Sequence, residues 1–225
     1  MTLVLAIPAL DGVVFASDGQ ITLGQVRWQE KKIKQLNSKC LWSASGELAL
    51  IQRMEEAIQK LPNKNQPLSN IRDQLSDVIK QTISLLLQQD FRTQFFQPKP
   101  DALLKLHPGD FMFAEWRERP RILHLLSNGT NEWINKPFAL GSGSLFAYAL
   151  LQKYQEHNFG IQKASLLAYK VLEESIRVGS WGIDFPIDIW QINNKCTKNL
   201  NEDEIAALED SSRALREAEV KLFLE

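Results

Sequence analysis

Hydrophobic and polar positions along the chain change period several times, and each change marks an element. Two short apolar runs come first, Leu3–Ile7 and Val13–Ala16, with Asp11-Gly12 ending the connection between them. That pattern predicts a β-hairpin whose far end returns Asp18 to the side of Thr2. Lys31 to Leu36 alternates and predicts a strand, on which Lys32 and Lys34 share a face. Cys40–Gly46 predicts another strand that stops at a glycine. The period then lengthens. Leu50, Met54, Ala57, Ile58 and Leu61 fall at helical spacing before Pro62, and Ile71, Leu75, Val78, Thr82 and Leu85 do so after a polar linker. The second of these helices has room to run to Phe91, and residues 92–108 read as irregular.

Strands return at Phe111–Trp116, Arg121–Leu126 and Glu132–Ile134, divided by turn residues Glu118-Arg119-Pro120 and Asn128-Gly129. Gly141-Ser142-Gly143-Ser144 precedes a helix over Leu145–Glu156, and an amphipathic helix over Ile161–Val178 follows. A last strand, Ile187–Ile192, comes after Pro186. Asn201–Glu225 is helical and heavily charged, and Asn201 with Glu204 has the spacing of a capping box. Strands and helices thus come in blocks. This order predicts an α+β fold with antiparallel sheets, and argues against a doubly wound parallel one. A single domain over 1–225 is expected, with the charged helix 201–225 at its end.

Composition narrows the classes of function. Formal net charge is −1 with no block of like charge, so neither nucleic acid nor an anionic membrane is an expected partner. Cys40 and Cys196 form no ligand pattern and suit a reducing, cytoplasmic setting. No apolar run reaches the roughly 18 residues of a membrane span. No cofactor or metal is expected. The histidines, His107, His124 and His157, are scattered and read as surface or packing residues.

Candidate chemistry sits at the start of the chain. Thr2 is small enough for Met1 to be trimmed, which would leave one residue carrying a hydroxyl and a free α-amine. Such an amine titrates near pH ~8 and can take the hydroxyl proton, so nucleophile and base are one residue. Amide hydrolysis also needs a cation to depress the base and a donor for the oxyanion. Taken alone, Asp18, Lys32, Gly46 and Ser142 each also have a structural reading, as turn, solvated strand or helix-start residues.

Several stretches together resemble the proteasome β-subunit and HslV family of N-terminal-nucleophile threonine peptidases. They are Asp18-Gly19-Gln20-Ile21-Thr22-Leu23-Gly24, Lys31-Lys32-Ile33, Ala44-Ser45-Gly46 and Gly141-Ser142-Gly143-Ser144. The resemblance implies a four-layer αββα sandwich. It implies Thr2 as nucleophile, Asp18 as the partner of a lysine, and Lys32 as that lysine, with Lys34 its rival. It implies the Gly46 N–H as oxyanion donor and Ser142 as a hydrogen-bond partner of the Thr2 amine. Gln20, Ile21, Ser45 and Ala49 would line the substrate pocket. The implied assembly is a homo-oligomeric ring, stacked on another and acting on unfolded polypeptide, with an unfoldase ATPase as a further partner. The sequence departs from the family in two places. The Asp18-to-Lys32 interval is shorter than in the relatives, and the family's Asp and Ser before the last core strand are not in place, although Ser180 and Asp184 are near. An amidase for a small amide on the same fold, and a non-catalytic ring homologue, remain as alternatives.

Overall fold

A computed structural model describes residues 2–23, 26–85, 109–179 and 182–224. Twelve strands and five α-helices are found among them. The first sheet contains β1 (Val4–Ala9), β2 (Gly12–Asp18), β10 (Phe138–Leu140), β11 (Ile187–Asn193) and β12 (Thr197–Asn199), in the spatial order β10-β1-β2-β11-β12. The second contains β5 (Lys34–Asn37), β6 (Cys40–Gly46), β7 (Gly109–Trp116), β8 (Pro120–Leu126) and β9 (Asn131–Ile134), in chain order. A separate two-stranded ribbon, β3 (Gln20–Leu23) with β4 (Val26–Gln29), leaves the first sheet directly after Asp18. Every pairing is antiparallel.

Strand alternation decides the layers. Along β1, Val4 and Ala6 face the second sheet, while Leu3, Leu5 and Ile7 face helices. The inter-sheet layer combines Val4, Ala6, Val13 and Phe15 with Leu41, Met112, Ala114 and Ile122. On the outer face of the first sheet lie α3 (Ser144–Leu151) and α4 (Ile161–Arg177), through Ala147, Leu151, Ala164, Ala168, Val171 and Leu172. On the outer face of the second lie α1 (Leu48–Gln59) and α2 (Leu68–Leu85), through Leu50, Met54, Leu75 and Ile79 against Trp42, Phe111 and Phe113. Burying one such large side chain contributes roughly 1.5–3 kcal/mol, so each strand is pinned by both its faces. The result is the expected four-layer αββα sandwich.

The last helix, α5 (Glu202–Leu224), packs on α4. Its start is the capping box read from the sequence: Glu204 N–H donates to Asn201 Oδ1 at 2.9 Å, and Asn201 N–H to Glu204 Oε2 at 3.1 Å. The Asn128-Gly129 turn also forms, with Gly129 at φ 82° and Thr130 N–H on Asn128 Oδ1 at 2.8 Å.

The structure corrects some expectations. The strand expected from Lys31 begins only at Lys34. Ahead of it, the Lys32 carbonyl accepts a hydrogen bond from the Ser43 hydroxyl at 2.9 Å. The helix expected to reach Glu156 ends at Leu151 and tightens into a 3₁₀ turn at Gln152–Tyr154. Strands β10 and β12 are three-residue edge strands without a readable alternation of their own. The expected run of α2 to Phe91, the irregular stretch 92–108 with His107, and Ser180 lie outside the described residues. Among the described residues no helix is long and apolar enough to cross a membrane.

Candidate functional site

Asp18 organises the site. It ends β2 fully buried, and four donors converge on its carboxylate. Oδ1 accepts from Leu3 N–H at 2.9 Å and Lys32 Nζ at 2.7 Å. Oδ2 accepts from Gln20 N–H at 3.1 Å and Asp184 N–H at 3.4 Å. The hairpin makes this possible: Val4 is in register with Ser17, and Asp18 N–H donates to the Leu3 carbonyl at 3.1 Å.

Lys32 is buried beside it, its side chain only 6% exposed. Burial disfavours both charged forms, so it pushes the Lys32 ammonium below its ordinary value of 10.5 and the Asp18 carboxyl above 3.8. Their mutual contact opposes both shifts without cancelling them. The lysine is thereby moved towards the range where it can hold or release a proton. Lys34 has a different partner. It forms an ion pair with Glu55 on α1, and both side chains stay partly exposed.

Thr2 is buried at the head of β1, and its N–H donates to Ser142 Oγ at 3.3 Å. This nitrogen is the peptide nitrogen following Met1 and becomes the α-amine when Met1 leaves; Met1 itself is outside the described residues. The turn carrying Ser142 closes on Thr2 because residue 141 is glycine. Gly141 has φ 101°, and a Cβ there would stand 2.1 Å from the Thr2 carbonyl oxygen. Gly46 ends β6 at φ 144°, a conformation that other residues rarely adopt.

Thr2, Lys32 and Gly46 open onto one cavity of about 420 Å³. Ile21 and Thr22 form one side. The other is a face of α1, where Leu48, Ile51, Gln52 and Glu55 recur at helical spacing. Ile21 is thus where the sequence placed it. Gln20, Ser45 and Ala49 are not among the lining residues. The Gln20 carboxamide donates to Thr22 Oγ1 at 3.2 Å. Ala49 is exposed on α1, one residue from Leu48 and off the lining face. Ser45 follows Ala44 on a strand, so when Ala44 and Gly46 face the cavity, Ser45 turns to the opposite side, into a second recess.

The family model described as proteasome subunit matches residues 2–187. The chain belongs to the proteasome subunit family. A solved structure with the same fold is Anbu (ancestral beta-subunit) from Yersinia bercovieri, with a TM-score of 0.76 and 14% identity, covering 99% of this chain and 96% of that one. No curated protein matches the chain. In this proteasome subunit, Thr22, Leu48 and Ile51 fall within the stretches that the family resemblance implies for the pocket, the strand after Asp18 and residues 45–51, without having been singled out, whereas Gln52 as a wall and the Asp184 backbone as a partner of Asp18 were missed. The spacing of positions 48, 51, 52 and 55 was the available signal for the helix face. The Asp184 contact had none, because a backbone N–H carries no side-chain pattern.

Proposed function

We propose that this proteasome subunit is a threonine-type endopeptidase, active once Met1 has been removed and Thr2 has a free amine. The reading rests on one arrangement: the buried Asp18–Lys32 pair lies with Thr2 and Gly46 at a common cavity, and Ser142 holds the Thr2 nitrogen. The Thr2 hydroxyl oxygen attacks the amide carbon, and its proton passes to the Thr2 amine. The oxyanion that forms is stabilised by the Gly46 N–H. Collapse breaks the carbon–nitrogen bond, the amine proton goes to the leaving nitrogen, and an ester remains on Thr2. Water then attacks the ester and gives its proton to the amine. The acid departs and the hydroxyl is restored. Lys32 supplies the nearby positive charge that eases loss of the hydroxyl proton.

The assembly proposed with this activity is a homo-oligomeric ring, on the ground of family membership. Unfolded polypeptide is the proposed substrate, supplied by an unfoldase ATPase. Exposed Leu145 and Phe146 on α3, and Leu222, Phe223 and Leu224 at the end of α5, are apolar surface that a second copy would cover.

The test is intact-mass measurement beside a peptide-amide assay and labelling with a β-lactone. Activity is expected in proportion to the fraction of chains beginning at Thr2, with none in Thr2→Ala. Full turnover by chains that all retain Met1 would overturn the mechanism.

A further inference from the structure

The backbone of Lys32 lies outside any strand. Residues 30–33 form no regular element, and β5 begins only at Lys34. The strand ladder therefore does not fix this stretch, and side chains have to hold it. Ile33 is buried in the layer between the sheets. The Ser43 hydroxyl donates to the Lys32 carbonyl at 2.9 Å.

Ser43 is fully buried on β6, at a position where its surroundings suit an apolar residue. By strand alternation it shares a face with Leu41, which packs between the sheets, and its partner on β7 is Met112 of the same layer. A hydroxyl in such a layer costs free energy unless it is bonded. Its bond goes to the residue whose ammonium reaches Asp18. The lysine stem is long and flexible, so the place of its ammonium depends on where its backbone is held. β6 is an inner strand, with β5 on one side and β7 on the other, and it ends at Gly46. One strand thus carries both the anchor of Lys32 and the proposed oxyanion donor.

We propose that Ser43 is a positioning residue: by tying the Lys32 backbone to β6, it sets where the ammonium stands relative to Thr2 and Gly46. It acts through Lys32 and on no reacting atom itself. The inference rests on the peptidase reading above, because only that reading gives the ammonium a catalytic task.

The test compares wild type, Ser43→Ala and Ser43→Thr, each in chains shown by intact mass to begin at Thr2. In the peptide-amide assay, Ser43→Ala should lower kcat roughly ten- to a hundredfold, the scale of a misplaced catalytic group, and leave KM within about twofold. Ser43→Thr keeps the donor on a residue that strands favour, and should recover most of that loss. In a Lys32→Ala background, Ser43→Ala should lower kcat no further, because the ammonium to be placed is gone. A second measurement needs no turnover. Acetic anhydride labelling mapped by mass spectrometry should modify Lys32, whose side chain is 6% exposed, several-fold faster in Ser43→Ala than in wild type. Unchanged kcat in Ser43→Ala, an equal loss with Lys32 absent, or unchanged labelling of Lys32 would overturn the positioning role while leaving the peptidase standing. Absence of cleavage by wild-type chains beginning at Thr2, with Lys32 labelling still faster in Ser43→Ala, would overturn the peptidase reading and the catalytic role of Ser43 with it.

Discussion

At the scale of single residues, the two lysines of the Lys32–Lys34 stretch have separate partners, Asp18 for Lys32 and Glu55 for Lys34. Strand parity predicted a shared face for them, but Lys31, of the opposite parity, lines the Thr2 cavity as Lys32 and Lys34 do, because the strand begins only at Lys34. Which of them meets Asp18 was not legible from parity, because it depends on the chain leaving strand geometry before Lys34. Lys32→Ala should lower kcat/KM roughly a hundredfold or more, the scale of a lost proton-transfer or charge-stabilising group. Lys34→Ala breaks only a part-exposed pair with Glu55, and should change stability by about 1 kcal/mol or less and activity far less than Lys32→Ala. Comparable rates in wild type and Lys32→Ala would remove the lysine from the mechanism. The pH profile gives a second measurement. On the proposed mechanism the Lys32 ammonium is needed charged, and burial lowers its pKa from 10.5, so activity should be lost as pH rises through a value below 10.5. An alkaline limb at or above the ordinary lysine value would contradict that assignment.

At the scale of elements, the long periodic segments were readable and the short ones were not. The hairpin of β1 and β2, the strands β6 to β8 and the helices α1, α4 and α5 carry enough turns or alternations for burial to show in the sequence. The ribbon of β3 and β4 and the edge strands β10 and β12 are held by their neighbours, and their residues carry no pattern of their own. Ser45 and Ala49 stand outside the Thr2 cavity because each is one residue out of phase with its lining face. The docking of α5 was likewise hidden. Its charged residues are not only solvated surface: Glu173 on α4 is buried and accepts from Ser212 Oγ at 2.7 Å, Arg177 Nε at 3.0 Å and Arg216 Nη2 at 3.3 Å. Burial alone would raise the Glu173 carboxyl, but these donors outweigh it and hold it below 4.5. A depressed carboxylate contributes stability above its unfolded value, and this is lost as pH falls through the folded one. Thermal melts across the acid range should therefore show α5 loosening below about pH 4.5 in wild type. Glu173→Ala should lose roughly 1–3 kcal/mol at neutral pH and show a flatter acid dependence. An identical acid response in both would exclude Glu173 as the anchor.

For the whole molecule, block order of strands and helices was enough to read an α+β sandwich, since a parallel sheet would have required alternation. The pairing of β2 with β11 and of β6 with β7 joins residues far apart in the chain, and no local pattern could announce it. Native mass spectrometry should find a large homo-oligomer and not the 25.7 kDa subunit, and a monodisperse monomer at micromolar concentration would count against the ring. On the proposed mechanism, the Lys32 contacts bear on when such a subunit would become dangerous to its neighbours. Its side chain reaches Asp18 at the end of the first sheet, and its carbonyl is held by Ser43 in the second. Asp18 in turn gathers Leu3 from the beginning of the chain and Asp184 from near its end. A newly made polypeptide therefore has no charged lysine beside Thr2 until both sheets have closed face to face. On the peptidase reading proposed above, maturation would act as its own safety catch: the subunit would be unable to digest its unfolded siblings during synthesis, and would acquire its teeth only when it had itself ceased to be prey.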